Sequence, residues 1–146
     1  MFGLRRHTGA LLASGAALTL GFAGLHSEPV VPTALAAQSR PVSVNVTLRD
    51  FRVNMSRHRL PAGTPIRFVI TNRGRAMHEA VLERAGSDDD ALEVRGREYE
   101  AEHIAPGQTR TVTWTIPHAG KYQLACHMPG HFEMGMKTFF TVTRSK

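Results

Sequence analysis

A single cysteine among 146 residues removes the usual first explanations for a small chain. One thiol closes no intrachain disulfide and cannot build a cysteine-rich zinc or iron–sulfur site. Aromatic residues are sparse as well, at 7% of the chain with a single Trp. The arginines are scattered and do not interleave with those rings, so the sequence carries no nucleic-acid platform. No apolar run reaches the roughly 20 residues that a membrane-spanning helix requires. Phosphate-binding glycine loops, Ser/His/Asp arrangements and paired catalytic carboxylates are missing too, and the chain is not expected to be an enzyme.

What is present suits one small folded domain. The apolar fraction is 42% and the length falls within the range of a single core. Eighteen basic residues face twelve acidic ones, for a formal charge of +6. The acids are unevenly placed: Asp88, Asp89, Asp90, Glu93, Glu98, Glu100 and Glu102 crowd one segment. A basic body with one acidic stretch can steer a charged partner protein, although a solvated loop explains the stretch equally simply.

Residues 1–36 read as a signal peptide and residues 37–146 as the folded domain. Arg5 and Arg6 form a positive start, Gly9 to Leu25 a weakly apolar centre, and Ala34-Leu35-Ala36 an A-x-A cleavage pattern. The expectation is an exported, periplasmic protein that touches a membrane only if this leader is retained as an anchor. The paired arginines are compatible with twin-arginine export, and the route is left open.

The remainder alternates like a β-protein. Val42, Val44, Val46 and Leu48 recur at period two, the pattern of an edge or half-buried strand. Further strands are predicted over Ile66–Thr71, His78–Glu83, Thr109–Ile116, Lys121–Cys126 and Met136–Thr143, with turns at Pro61–Gly63, Asn72–Gly74 and Pro117–Gly120. Residues 84–103 look polar and irregular, with a short helix near Ala91–Val94. Seven to eight short strands in one domain predict an all-β Greek-key sandwich.

The chemistry concentrates between the last two predicted strands. Cys126, His131 and Met136 are separated by four residues each, so a thiol, an imidazole and a thioether share one loop. With one more His from elsewhere, these donors make a trigonal His2Cys site with a weak axial sulfur, a set suited to copper passing between Cu(I) and Cu(II). His58, His78, His103 and His118 all compete for the remaining nitrogen, and Met134 competes with Met136. A Cys126–His131 nucleophile pair would leave Met136 without purpose and lacks a readable oxyanion hole. His127 reads as an exposed neighbour of the site.

The segment Cys126-His127-Met128-Pro129-Gly130-His131 with Gly135-Met136, together with Met77-His78-Glu79 upstream, resembles the cupredoxin (blue or green type 1 copper) family. It is most similar to small periplasmic cupredoxins with a Cys-x4-His-x4-Met loop that are associated with copper tolerance. The resemblance spans roughly residues 42–143. It implies a cupredoxin-like sandwich, one copper ion as cofactor, and His78, Cys126, His131 and Met136 as its ligands. It also implies one-electron transfer with redox partners such as a cytochrome or oxidase. The alternative is copper tolerance, storage or Cu(I) delivery among copper-handling proteins, and a monomer is expected in either case. Many family members carry Asn directly after the first His, where it ties the ligand segments together. Glu79 stands there in this chain, which puts that tie in doubt. Met77, Met128 and Met134 border the site, either as extra soft donors or as plain packing.

Overall fold

The computed structural model describes residues 41–88 and 90–145, so the predicted leader and its cleavage site lie outside the described residues. Nine strands are present: β1 (Val42–Arg49), β2 (Arg52–Met55), β3 (Arg59–Pro61), β4 (Pro65–Asn72), β5 (His78–Arg84), β6 (Glu100–Ile104), β7 (Thr109–Thr115), β8 (Gly120–Ala125) and β9 (Lys137–Thr143). They form a two-sheet sandwich, with order β2-β1-β4-β7 in one sheet and β3-β9-β8-β5-β6 in the other. This is the all-β sandwich that the alternating pattern predicts, with one or two more strands than expected. The additions are short: β2 and β3 have four and three residues, too few to show a period.

Three local expectations are corrected. No helix occurs at residues 91–94, where Ala91 and Glu93 instead make isolated bridges to Glu83 and Glu98. The region expected to be irregular contains β6, which pairs antiparallel with β5. Of the two readings of β1, the edge one is corrected, because β2 covers one side and β4 runs parallel on the other. The half-buried one holds, with Val44, Val46 and Leu48 buried and their neighbours exposed or partly so.

Period-two alternation explains the packing. Val44, Val46 and Leu48 of β1 and Ile66, Phe68 and Ile70 of β4 turn inward and are fully or nearly fully buried. Ala80, Leu82, Tyr122, Leu124, Phe140 and Val142 meet them from the facing sheet. Trp114 bridges the interior, tilted against Phe68 at 5.2 Å and stacked on Tyr99 at 5.5 Å. At about 25 cal/mol per Å2 of apolar surface removed from water, side chains of this size contribute roughly 1.5–3 kcal/mol each. That interior holds β5, β8 and β9 rigidly side by side, and it is these three strands whose ends carry the site. Among the described residues, no helix is long and apolar enough to cross a membrane.

Candidate metal centre

The inward face of β5 carries His78, Ala80 and Leu82, while Glu79 and Glu83 point to the other face. β8 pairs antiparallel with β5 through Val81–Ala125 and Glu83–Gln123. One step further in that register sets Cys126 level with Ala80, whose small side chain leaves room for sulfur, and His127 level with Glu79. On its other side, Cys126 donates its backbone N–H to the Met136 carbonyl at 3.1 Å. The loop 127–135 is thus closed at its base by a contact between two of the predicted ligands.

Hydrogen bonds inside this loop fix its shape. His131 N–H donates to the Met128 carbonyl at 2.8 Å, and Met136 N–H donates to the His131 carbonyl at 2.9 Å. Gly135 adopts φ 87°, a conformation that a side chain would resist, and this turn delivers Met136 back to β9. Met136 is fully buried, whereas Met134 is 64% exposed. The interior therefore receives the thioether of Met136 and not that of its rival.

Three donors converge beneath the loop. Cys126 Sγ lies 3.3 Å from His131 Nδ1 and 3.9 Å from His78 Nδ1, and the two Nδ1 atoms are 3.2 Å apart. All three fall within 4.8 Å of one another. His78 and Cys126 are fully buried and His131 is partly exposed at the edge. The other candidate histidines are not part of this cluster: His58 bonds the Phe139 carbonyl at 2.9 Å and His103 sits beside Glu102 on the surface. His118 is exposed, with its carbonyl accepting from the Tyr122 hydroxyl.

The electrostatics suit a cation. Burial pushes the His78 imidazole below its ordinary value, helped by the neighbouring His131 and opposed by Asp50. A neutral ring with a free Nδ1 lone pair is the form a metal requires. Burial also raises the Cys126 thiol, while the backbone N–H groups of Glu79 and Met128 donate to the sulfur and work the other way. Those two donors stand ready to stabilise a thiolate once a positive charge enters. Two imidazoles, a thiol with amide donors and a buried thioether fit one soft-to-borderline metal ion, and copper meets that description.

Around the donors lie contacts that the sequence did not reveal. The doubt over Glu79 is resolved: its carboxylate accepts the His127 backbone N–H at 2.7 Å and ties the two ligand-bearing segments together. His127 is not an exposed bystander either. Its side chain is 9% exposed and its Nε2 bonds Glu83 at 2.5 Å, while the ring stacks on Phe132. Glu83 is fully buried, and its other oxygen accepts from Gln123 Nε2. From the opposite sheet, the two-residue turn between β1 and β2 reaches both histidines. Asp50 Oδ1 faces His78 Nε2 at 3.5 Å, and the Phe51 ring stands edge-on to His131 at 5.4 Å. No sequence signal marked that turn, because the strand after it has only four residues.

The chain is similar to known proteins both in sequence and in fold. A family model described as a cupredoxin-like domain matches residues 14–142. The match begins inside the segment read as a leader and runs into β9, one residue short of its end. Over 85 residues the chain is 36% identical to the copper-resistant cuproprotein CopI of Rubrivivax gelatinosus, covering 51% of this chain and 49% of that protein. Over 153 residues it is 26% identical to the copper-resistant cuproprotein CopI of Pseudomonas aeruginosa, covering 80% and 84% of the two chains. The chain therefore matches about half the length of the first relative and most of the second. Its fold is similar to that of auracyanin from Roseiflexus castenholzii, with a TM-score of 0.56 and 18% identity over 71% of this chain and 98% of that one.

Proposed function

The chain belongs to the cupredoxin-like family, and from that premise we propose that it is an exported copper-binding protein of copper tolerance. Its cofactor is a single copper ion held by His78, Cys126, His131 and Met136. The observation that carries this reading is the convergence of His78 Nδ1, Cys126 Sγ and His131 Nδ1 within 4.8 Å at one end of the sandwich. Relatives named as copper-resistant cuproproteins support tolerance as the physiological role. Export rests on the charged start and the A-x-A pattern of residues 1–36.

Bound copper supplies one-electron chemistry between Cu(I) and Cu(II). The chain's own residues then have distinct tasks. His78 and His131 present neutral nitrogens, the first from the rigid start of β5 and the second from the loop. Cys126 presents sulfur, with the Glu79 and Met128 amides stabilising its negative charge. Met136 supplies a weak thioether from a buried position. The apolar surroundings keep water from competing for the ion and restrict coordination to the protein.

A second reading, one-electron transfer between redox proteins, is favoured by a different observation. The three donors stand on segments tied to one another by hydrogen bonds, so little need move when the charge of the ion changes. His131 at the partly exposed edge offers the path for the electron.

Deleting the gene and measuring growth on copper alongside respiration separates the two. Tolerance predicts copper-sensitive growth with normal respiration, restored by the wild-type gene and not by Cys126→Ser. Normal growth on copper with slowed respiration would contradict tolerance and support the carrier.

A further inference from the structure

His78 Nε2 is the one buried side-chain nitrogen or oxygen among the described residues that lacks a hydrogen-bond partner. A buried polar atom left unmade is expensive, and this one sits on a predicted ligand. If His78 offers Nδ1 to a metal, its proton must reside on Nε2, pointing away from the donors. The group it points toward is the Asp50 carboxylate, with Oδ1 at 3.5 Å.

The placement of Asp50 is built. Its Oδ1 accepts the backbone N–H of Arg75 at 2.9 Å and that of Ala76 at 3.4 Å, and its Oδ2 accepts Arg75 Nε at 3.2 Å. These donors, the Arg75 backbone N–H foremost, hold the Asp50 carboxyl down at about 2, so it is charged at neutral pH. Gly74 makes the approach possible. A Cβ there would stand 2.5 Å from Asp50 Oδ1 and 2.7 Å from His78 Nε2, closer than packed atoms come. Its φ is not in the left-handed region, so the glycine is needed for space and not for its backbone freedom. The turn itself is under strain, with Phe51 at φ 62°, uncommon for a bulky residue.

We propose that Asp50 is a positioning residue of the metal site. Its carboxylate accepts the Nε2 proton of His78, selects the tautomer that frees Nδ1, and sets the rotation of the ring. A carboxylate behind a ligating imidazole also makes the ring a stronger donor. Its negative charge favours the more positive oxidation state of an ion held on the far side. The proposal rests on the copper reading for its effect on the ion, but the Asp50–His78 contact itself does not require metal.

The test compares full-length wild type with Asp50→Asn, Asp50→Ala, Asp50→Glu and Gly74→Ala. In the copper-free proteins, 15N–1H NMR of the His78 ring should show the proton on Nε2 in wild type and mixed tautomers in Asp50→Ala. In the copper-loaded proteins, the reduction potential should rise from wild type to Asp50→Asn and further to Asp50→Ala, and Asp50→Glu should move it back. Affinity for Cu(II) should fall about 10–100-fold in Asp50→Ala, with a smaller loss for Cu(I). Gly74→Ala should behave like Asp50→Ala by displacing the carboxylate. Asp50→Asn keeps the shape and an acceptor, so it answers the question should the alanine variant fail to fold. Wild type that takes up no copper would overturn the copper reading, while the tautomer data would still decide the Asp50 contact. An unchanged His78 tautomer together with an unchanged potential in Asp50→Asn and Asp50→Ala would overturn the proposal.

Discussion

The Glu79 carboxylate accepts the backbone N–H of His127 at 2.7 Å, joining the residue after one predicted ligand to the residue after another. His78 opens β5 and Cys126 follows the last residue of β8, so both stand beyond the point where those two strands pair. Without a tie at this point, the two ends could splay and separate the donors.

Glu79→Ala should therefore loosen the site. Losing a hydrogen bond to a charged acceptor costs about 1.5–3 kcal/mol, read as a lower urea midpoint of the copper-free protein. Glu79→Gln keeps an acceptor and should lose less. Because the Glu79 charge contributes to raising the Cys126 thiol, Glu79→Gln should also move that thiol downward. Alkylation rate against pH reports this, and an unmoved thiol would contradict the role.

The buried pair behind the site gives a larger effect. Glu83 is fully buried and accepts from both His127 and Gln123, so Glu83→Ala removes two buried side-chain bonds. Gln123 keeps the Ser87 carbonyl and the Gly86 N–H, while His127 Nε2 loses its carboxylate. Each buried bond lost in this way costs about 1–3 kcal/mol. Chemical denaturation of the copper-free variant tests this, and a loss near zero would show that the network contributes little.

The two methionines should part cleanly. Met136→Leu conserves volume in the interior, so stability should change by less than about 1.5 kcal/mol. With copper, the variant should keep its visible absorption and show a higher potential. Met134→Leu lies on the surface and should change neither. A spectrum that responds to Met134 and not to Met136 would reverse the axial assignment.

Copper-free protein should be most stable between about pH 6.5 and 9.0. His78 is held below its ordinary 6.5 by burial, so beneath that pH the unfolded chain binds a proton that the folded chain refuses, and stability falls. Cys126 is held above its ordinary 9.0 by burial, so at higher pH the unfolded chain releases a proton that the folded chain keeps, and stability falls again. Thermal midpoints across pH 5–10 check both limbs. The alkaline limb should vanish in Cys126→Ser and the acid limb should weaken in His78→Phe.

The sandwich was legible because long strands buried on one face alternate at period two, as Val42–Leu48 and Thr109–Ile116 do. Cys126, His131 and Met136 were legible because one loop carries them at regular spacing. Asp50 was not, since it reaches His78 only through the packing of two sheets, and β2 is too short to announce the turn that places it. Glu79 and His127 were misjudged for a related reason. Their contact depends on the β5–β8 register, and a side chain that faces away from the core reads as exposed until the network around Glu83 is seen. The expected helix at 91–94 rested on local composition, which bridges from Glu83 and Glu98 override.

Visible absorption during titration of the purified protein with Cu(II) tests the central claim most directly. A trigonal site with one cysteine thiolate predicts an intense thiolate-to-copper charge-transfer band that saturates at one copper per chain and is abolished in Cys126→Ser. A protein that stays colourless at one equivalent, or a band that survives the loss of Cys126, would contradict it.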